Sequence, residues 1–347
     1  MLRLRSEGAT GGDSGEKFLP FSAPWVGPEE KDEVLRALDS DWITTGPRAR
    51  AFEEAFQEYI GSREAVGVSS CTAALHLALR ALDVGPGDAV FTTPFTFAAT
   101  ANAVVYCQAD PIFIDIRPDT YNLDPERVEE FIIQHCTWEA GEKRLTIGRT
   151  GKQVRAIIAV HYAGQPCDMD AIGGIARRYG LKVIEDAAHA LGATYKGKKA
   201  GVLGDVACFS FYPTKNITTG EGGMLTTNDS ALAQRVRLLS LHGISRDAWK
   251  RYGREGSWQY DLEEVGFKYN LTDLAAALGL HQLRKLPRFR ERRAELAAQY
   301  DQLLAELPLQ LPVAVPDTTS AWHLYPVQIL ADPITRDDLI EKLRRRN

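Results

Sequence analysis

The sequence predicts an α/β protein built on a mostly parallel, doubly wound sheet. Three observations carry that expectation. Short apolar runs of strand length alternate with helical patterns along the chain, the signature of strand–helix–strand units. Two of those runs, Val183–Glu185 and Val206–Phe211, lead to chemically distinctive residues, Asp186 and Lys215. Open α/β sheets place ligands at such strand ends. Finally, 347 residues exceed one small domain and fit two, with ample material for a large core.

Composition excludes several function classes. Apolar content of 44% and charged content of 25% are those of an ordinary soluble globular chain. A net charge of −5 gives no reason to expect nucleic acid or an anionic membrane as partner. Cys71, Cys107, Cys136, Cys167 and Cys208 are odd in number, scattered and without a CxxC pair. That pattern suits a reducing cytoplasm and argues against a disulfide framework or a zinc site, so no metal is expected. No window approaches the length of a membrane span. Residues 1–17 carry two arginines but no apolar run after them, and read as a disordered leader rather than a signal peptide.

The elements follow in order. Pro28-Glu29-Glu30 opens a helix, as proline and acids do in a first turn. Trp42–Pro47 (WITTGP) is a hydroxyl-rich turn. Val66–Thr72 reads as strand, small-residue turn and helix start, which is either an anion site or a plain cap. His76, on the following helix, is expected to be packed or at the surface. Ala89–Thr93 is a strand ending near Phe97, which the residues alone make a core phenylalanine; Ile112–Asp115 is a further strand. Residues 134–155 are polar and glycine-containing and read as a surface insertion, in which His135 and Cys136 lack metal-ligand spacing. Ala156–Val160 is apolar, and His161 at its end is a catalytic candidate. Gly192–Lys198 matches part of a P-loop, but Lys199 stands where Ser or Thr should bind magnesium. No GxGxxG follows a strand, which argues against a nicotinamide enzyme. Trp249, Tyr252, Trp258 and Tyr260 either line a cleft or pack as a surface loop. Leu274–Leu307 is a long helix whose basic run is a solvated face, and Ala321–Tyr325 begins a strand.

An acid and a lysine at neighbouring strand ends suit pyridoxal phosphate (PLP). A lysine amine forms a Schiff base with the cofactor aldehyde, and a carboxylate keeps the ring nitrogen protonated. Such a charge-assisted hydrogen bond is worth about 1.5–3 kcal/mol. Ser210, five residues before Lys215, offers a hydroxyl to the phosphate. Taken alone, the pair is as a rule a surface acid and a solvated lysine.

The surrounding motifs decide between these. EDAAHALGA, FSFYPTKNITTGEGGML and GFKYNLTDLAAALGLHQL resemble the DegT/DnrJ family of sugar aminotransferases, over about Phe18–Asn347. The resemblance implies the fold-type-I PLP architecture, with a large domain over 18–275 and a small C-terminal α+β domain over 276–347. It implies Lys215 as the Schiff-base residue, Asp186 on the pyridine nitrogen and His189 beside the ring. Cys71, Thr72 and Ser210 would contact the phosphate, Phe97 would stack on the ring, and Asn270 would reach the phosphate of the neighbouring subunit of a homodimer with shared sites. Thr45, His161 and His323 are carried over as substrate contacts. The chain stops at LRRRN, where relatives continue, so the small domain is expected to be truncated. FLPFS, WITTGP, EDAAHA, KNIT and KYNLTD together are similar to the branch acting on UDP-linked 4-keto sugars. The implied reaction is ping-pong: glutamate gives up its amino group, 2-oxoglutarate leaves, and a nucleotide-linked keto sugar receives the group. Two other readings are a related PLP sugar dehydratase, whose histidine at the lysine position Lys215 replaces, and a PLP-binding protein without turnover.

Overall fold

A computed structural model describes residues 20–244, 261–330 and 333–346. The expected leader and the aromatics Trp249, Tyr252, Trp258 and Tyr260 lie outside the described residues. The chain opens with α1 (Pro28–Leu38) and α2 (Pro47–Ile60). The Gly27 amide at the head of α1 donates to Glu30 Oε2 at 2.7 Å. β1 (Glu64–Val68) then feeds α3 (Cys71–Ala81), followed by β2 (Asp88–Thr92), α4 (Ala98–Tyr106), β3 (Asp110–Phe113) and α5 (Pro125–His135). A hairpin of β4 (Cys136–Glu139) and β5 (Arg144–Ile147) leads into β6 (Gln153–Val160), α6 (Met169–Tyr179) and β7 (Lys182–Asp186). The short β8 (Thr194–Tyr195) and β9 (Lys198–Lys199) precede β10 (Val206–Ser210), β11 (Gly223–Thr227) and α7 (Ser230–Ser240). The long α8 (Asp273–Leu304), two-residue strands β12 (Leu309–Gln310), β13 (Thr318–Thr319) and β14 (Gln328–Ile329), and α9 (Arg336–Arg344) complete the described chain.

The main sheet runs β1-β11-β10-β7-β6-β2-β3. β10, β7, β6, β2 and β3 are mutually parallel, and β11 is antiparallel to both its neighbours. The expected mostly parallel sheet is therefore present, with β11 reversed within this order. The reversal follows from the connection: no helix lies between β10 and β11, and a parallel return needs a crossover. Helices cover both faces. Apolar side chains of α3, α4 and α7 pack on one face against Val66, Val90, Ile158, Ile184, Cys208 and Leu225. On the other, α2 and α8 pack on Ala65, Ala207, Phe209 and Met224. There too α5 and α6 pack on Phe91, Ile157 and Val183. With both faces buried, the strands read as continuous apolar runs.

Four expectations differ from the structure. β3 occupies Asp110–Phe113, two residues earlier than expected, because Pro111–Phe113 pair with Val90–Thr92. Residues 134–155 are more than a surface insertion: the β4–β5 hairpin joins the main sheet through β5 and β6, and buries Leu145 and Ile147. Ala321–Tyr325 forms no strand. Its amides turn inward to the bend after β6, Ala321 N donating to Gly164 O and His323 N to Ala163 O, both at 2.9 Å. Trp322 between them sits at φ 46, which a strand cannot accommodate. The expected boundary after residue 275 falls inside α8, which runs unbroken from Asp273.

Candidate functional site

The site is built at the carboxyl ends of β6, β7 and β10. Asp186 is the last residue of β7, paired in register with Val160 of β6 and Cys208 of β10. It is 6% exposed. Thr100 of α4 donates to its Oδ2 at 2.7 Å, and the Ala188 amide to its Oδ1 at 3.2 Å. Burial pushes its pKa up, against those two hydrogen bonds and the charge of Lys215. A buried carboxylate in that condition calls for a cationic partner. Lys215 lies in the turn after β10, its amide donating to Tyr212 O at 2.8 Å. Burial lowers its pKa while Asp186 and Cys71 act the other way, so the amine is readier to lose its proton than a surface lysine.

The turn before α3 faces this pair. Ser70 caps the helix by accepting from the Ala73 amide at 3.1 Å. Cys71 and Thr72 are the first two helical residues, whose amides have no preceding turn to accept them. The Cys71 thiol is buried; burial, Asp186 and Cys208 all raise its pKa, so it stays a neutral wall. Gly223 opens β11 opposite Ser210. A Cβ there would lie 2.5 Å from Ser70 C and 2.7 Å from Cys71 N. The absence of a side chain at 223 thus lets β11 and the helix start come together beside Ser210.

His189 and His323 meet with ring centroids 4.3 Å apart. Each has a buried Nδ1 with no protein partner. Burial, then the Lys215 charge, lowers the His189 pKa to about 3. Burial, with His189, Lys215 and Arg293, lowers that of His323 to about 2. Both rings are neutral at neutral pH. Tyr162 lies 6.2 Å from His189 and 4.8 Å from Phe95, centroid to centroid, extending an aromatic wall away from Lys215.

The remaining expected residues divide. Thr45 and Asn270 come together, Asn270 Nδ2 donating to Thr45 Oγ1 at 2.6 Å and Thr45 Oγ1 to Leu271 O at 2.5 Å. Asn270 also bridges Val68, just before the Ser69–Thr72 turn. Phe97 is 79% exposed and is not the core residue its composition suggested. His76 is buried, packed on Phe267, Tyr106 and Tyr269. His161 offers no atom to a substrate. It is fully buried, its Nδ1 accepts from the Cys167 amide at 3.1 Å, and its Nε2 is 3.0 Å from Glu185 Oε2. Because Nδ1 must keep a lone pair for that amide, the ring proton sits on Nε2 and is donated to Glu185. Reading along the chain missed Thr100, Glu185 and Arg293. Glu185 had a signal, an acid inside the apolar run VIED; Thr100 and Arg293 had none. A cavity of about 1130 Å³ lies apart from Asp186 and Lys215, between α2, β1 and α7, and touches the residues named above at Thr45 and Asn270.

Known proteins resemble this chain in sequence and in fold. The model of the DegT/DnrJ/EryC1/StrS aminotransferase family matches residues 24–347. An uncharacterized protein of Methanocaldococcus jannaschii, MJ1066, is 50% identical over 335 residues, 96% of this chain and 82% of that protein. The spore coat polysaccharide biosynthesis protein SpsC of Bacillus subtilis is 45% identical over 330 residues, 94% of this chain and 80% of its own length. Spr1654 of Streptococcus pneumoniae, assigned as a sugar aminotransferase and solved in its PLP form, superposes with a TM-score of 0.82 at 31% identity, covering 94% of this chain and 82% of that one.

Proposed function

The chain belongs to the DegT/DnrJ/EryC1/StrS aminotransferase family and is a PLP-dependent aminotransferase, and we propose that it moves the amino group of glutamate onto a nucleotide-linked 4-keto sugar. The sugar carrier in this reading is UDP, and the setting is the cytoplasmic biosynthesis of a cell-surface polysaccharide, lipopolysaccharide or related amino sugar. Support comes from the polysaccharide role in the name of SpsC and the sugar assignment of Spr1654. The observation that carries the reading is the buried Asp186 carboxylate in electrostatic contact with Lys215 at the ends of adjacent parallel strands.

The residues present fit the cofactor. A buried carboxylate short of a cation, a buried imidazole nitrogen without a partner and a helix start pressed against Gly223 are what a protonated ring, its edge and its phosphate require. When bound, PLP supplies the electron sink that lets a carbon next to nitrogen lose its proton. Asp186 would hold the ring nitrogen, with Thr100 fixing the carboxylate. Cys71, Thr72 and Ser210 would hold the phosphate, joined by Asn270 of the partner subunit. His189 and Phe97 would flank the ring. Lys215 would hold the aldehyde carbon and, once released, take the proton from the donor's α-carbon and later return one to the sugar carbon. Its lowered pKa favours the neutral amine which that step needs. Thr45 and His323 are the remaining candidates for substrate contact.

The test is the visible absorbance of the protein loaded with PLP, before and after glutamate. Bleaching of the yellow band, with no such band in Lys215→Ala, is expected. A band indifferent to glutamate would instead mean a protein that binds PLP without using this donor.

A further inference from the structure

Arg293 of α8 is half-buried next to the site, and none of the roles above uses it. Its one hydrogen bond among the described residues is long, Nη1 donating to Asn216 O at 3.4 Å, and no described carboxylate pairs with it. Its neighbour Arg292 is paired with Glu295 at 2.7 Å. Burial lowers the Arg293 pKa with no acid opposing it, yet a guanidinium does not give up its proton in a protein. An enclosed permanent cation of this kind costs free energy until an anion meets it.

Its position says which anion. Asn216 directly follows Lys215, and its Oδ1, like Nδ1 of His189 and His323, is buried without a partner. The guanidinium charge is felt by the His323 ring. With both histidines neutral, Lys215 and Arg293 are the cations among the described residues whose charge reaches the His323 ring. The geometry points to Arg293 as the residue that binds a carboxylate of the amino-acid donor, and of the 2-oxo acid it becomes. This rests on the aminotransferase reading above and deepens it. The donor's α-carboxylate is bonded to the carbon that carries the reacting amine, so it must lie within a few ångströms of Lys215 Nζ. The diphosphate of a sugar acceptor is held away from its reacting C4 by the width of the sugar ring. A planar fork also grips a carboxylate through two parallel hydrogen bonds, which fixes the donor's orientation.

The experiment uses the PLP-loaded protein and its Arg293→Gln and Arg293→Lys variants. The glutamate concentration giving half-maximal bleaching should rise about ten-fold or more in Arg293→Gln, and less in Arg293→Lys, with the rate at saturation changed far less. Affinity for 2-oxoglutarate, measured by calorimetry, should fall in parallel. Glutamine in place of glutamate separates the two carboxylates: an equal loss assigns the α-carboxylate, and a loss confined to glutamate assigns the γ-carboxylate. Unchanged glutamate saturation with only a lower melting temperature would make Arg293 a structural clamp on Asn216 and overturn the proposal. Weakened UDP binding with unchanged 2-oxoglutarate binding would overturn it in favour of the acceptor's diphosphate. If Arg293→Gln does not fold, Arg293→Lys gives the same readings. Unsubstituted protein that keeps its colour in glutamate counts against the donor named above, while its 2-oxoglutarate affinity still decides the role of Arg293.

Discussion

Asp186 and Lys215 stand out along the chain because each lies in a long motif, and they meet because β7 and β10 are parallel neighbours. The groups that tune them are not visible that way. Thr100 lies 86 residues before the carboxylate it bonds, and nothing near it in sequence marks it. His189 and His323 meet only because residues 321–324 hang from the bend after β6. Their folded pKa values, about 3 and about 2, lie below the ordinary 6.5. Between those values the unfolded chain binds more protons, so stability from the two rings is complete above pH 6.5 and is lost as pH falls below it. The slope is at most about 1.4 kcal/mol per pH unit for each ring. Urea midpoints should therefore drop between pH 7 and pH 5, and His323→Gln should flatten that drop, with His76, lowered to about 4 by burial, keeping part of it. An unaltered slope in the variant would show that His323 takes up its proton without cost.

Elements bring these residues together through a few close approaches. Glu185 ties three segments: its carboxylate accepts from the amides of Gly201, Leu203 and Gly204 at 2.8–2.9 Å and bonds His161. It thus locks the end of β6 and the loop before β10 onto β7, which explains a fully buried acid one residue before Asp186. Gly223 allows β11 to touch the start of α3. Gly223→Ala would place a Cβ 2.5 Å from backbone that cannot swing aside, so the helix start must move. A PLP titration of this variant should show weakened cofactor binding in protein that still melts cooperatively. Gly279 performs a different task, letting α8 lie on α2, where an added Cβ would come within 2.6 Å of the Phe52 ring. Gly279→Ala should cost about 1–3 kcal/mol in urea unfolding and leave PLP binding intact. If the two alanine variants lost cofactor equally, the distinction between site and scaffold glycines would be wrong.

At the scale of the whole molecule, apolar side chains of α1, α4 and the segments beside them stay in solvent: Phe97 at 79%, Tyr106 at 55%, Val105 at 54%, and Leu35, Leu38 and Ile43 at 54–57%. A surface of this character suits the proposed homodimer. Shared sites make a sharp forecast. Lys215→Ala and Asn270→Ala proteins, each impaired alone, should regain activity when mixed and allowed to exchange subunits. One site of the mixed dimer would then combine an intact Lys215 with an intact Asn270 from the other chain. No recovery in a mixture shown to exchange would mean that Asn270 acts within its own subunit, through Thr45.

The amino-acid order alone determined the alternation of strands and helices and the chemistry at their ends. Apolar periodicity and motif residues are local properties that survive without knowledge of the fold. Tertiary structure decided the rest. The reversal of β11 came from a connection with no helix in it, and the absorption of the 134–155 hairpin into the sheet from pairing with β6. The burial of His161 behind Glu185 and the isolation of Arg293 were settled in the same way. Burial, pairing and the lack of a counter-charge are relations through space. The same arginine is an ordinary member of a basic run until packing half-buries it against Asn216, with no carboxylate among the described residues paired to it.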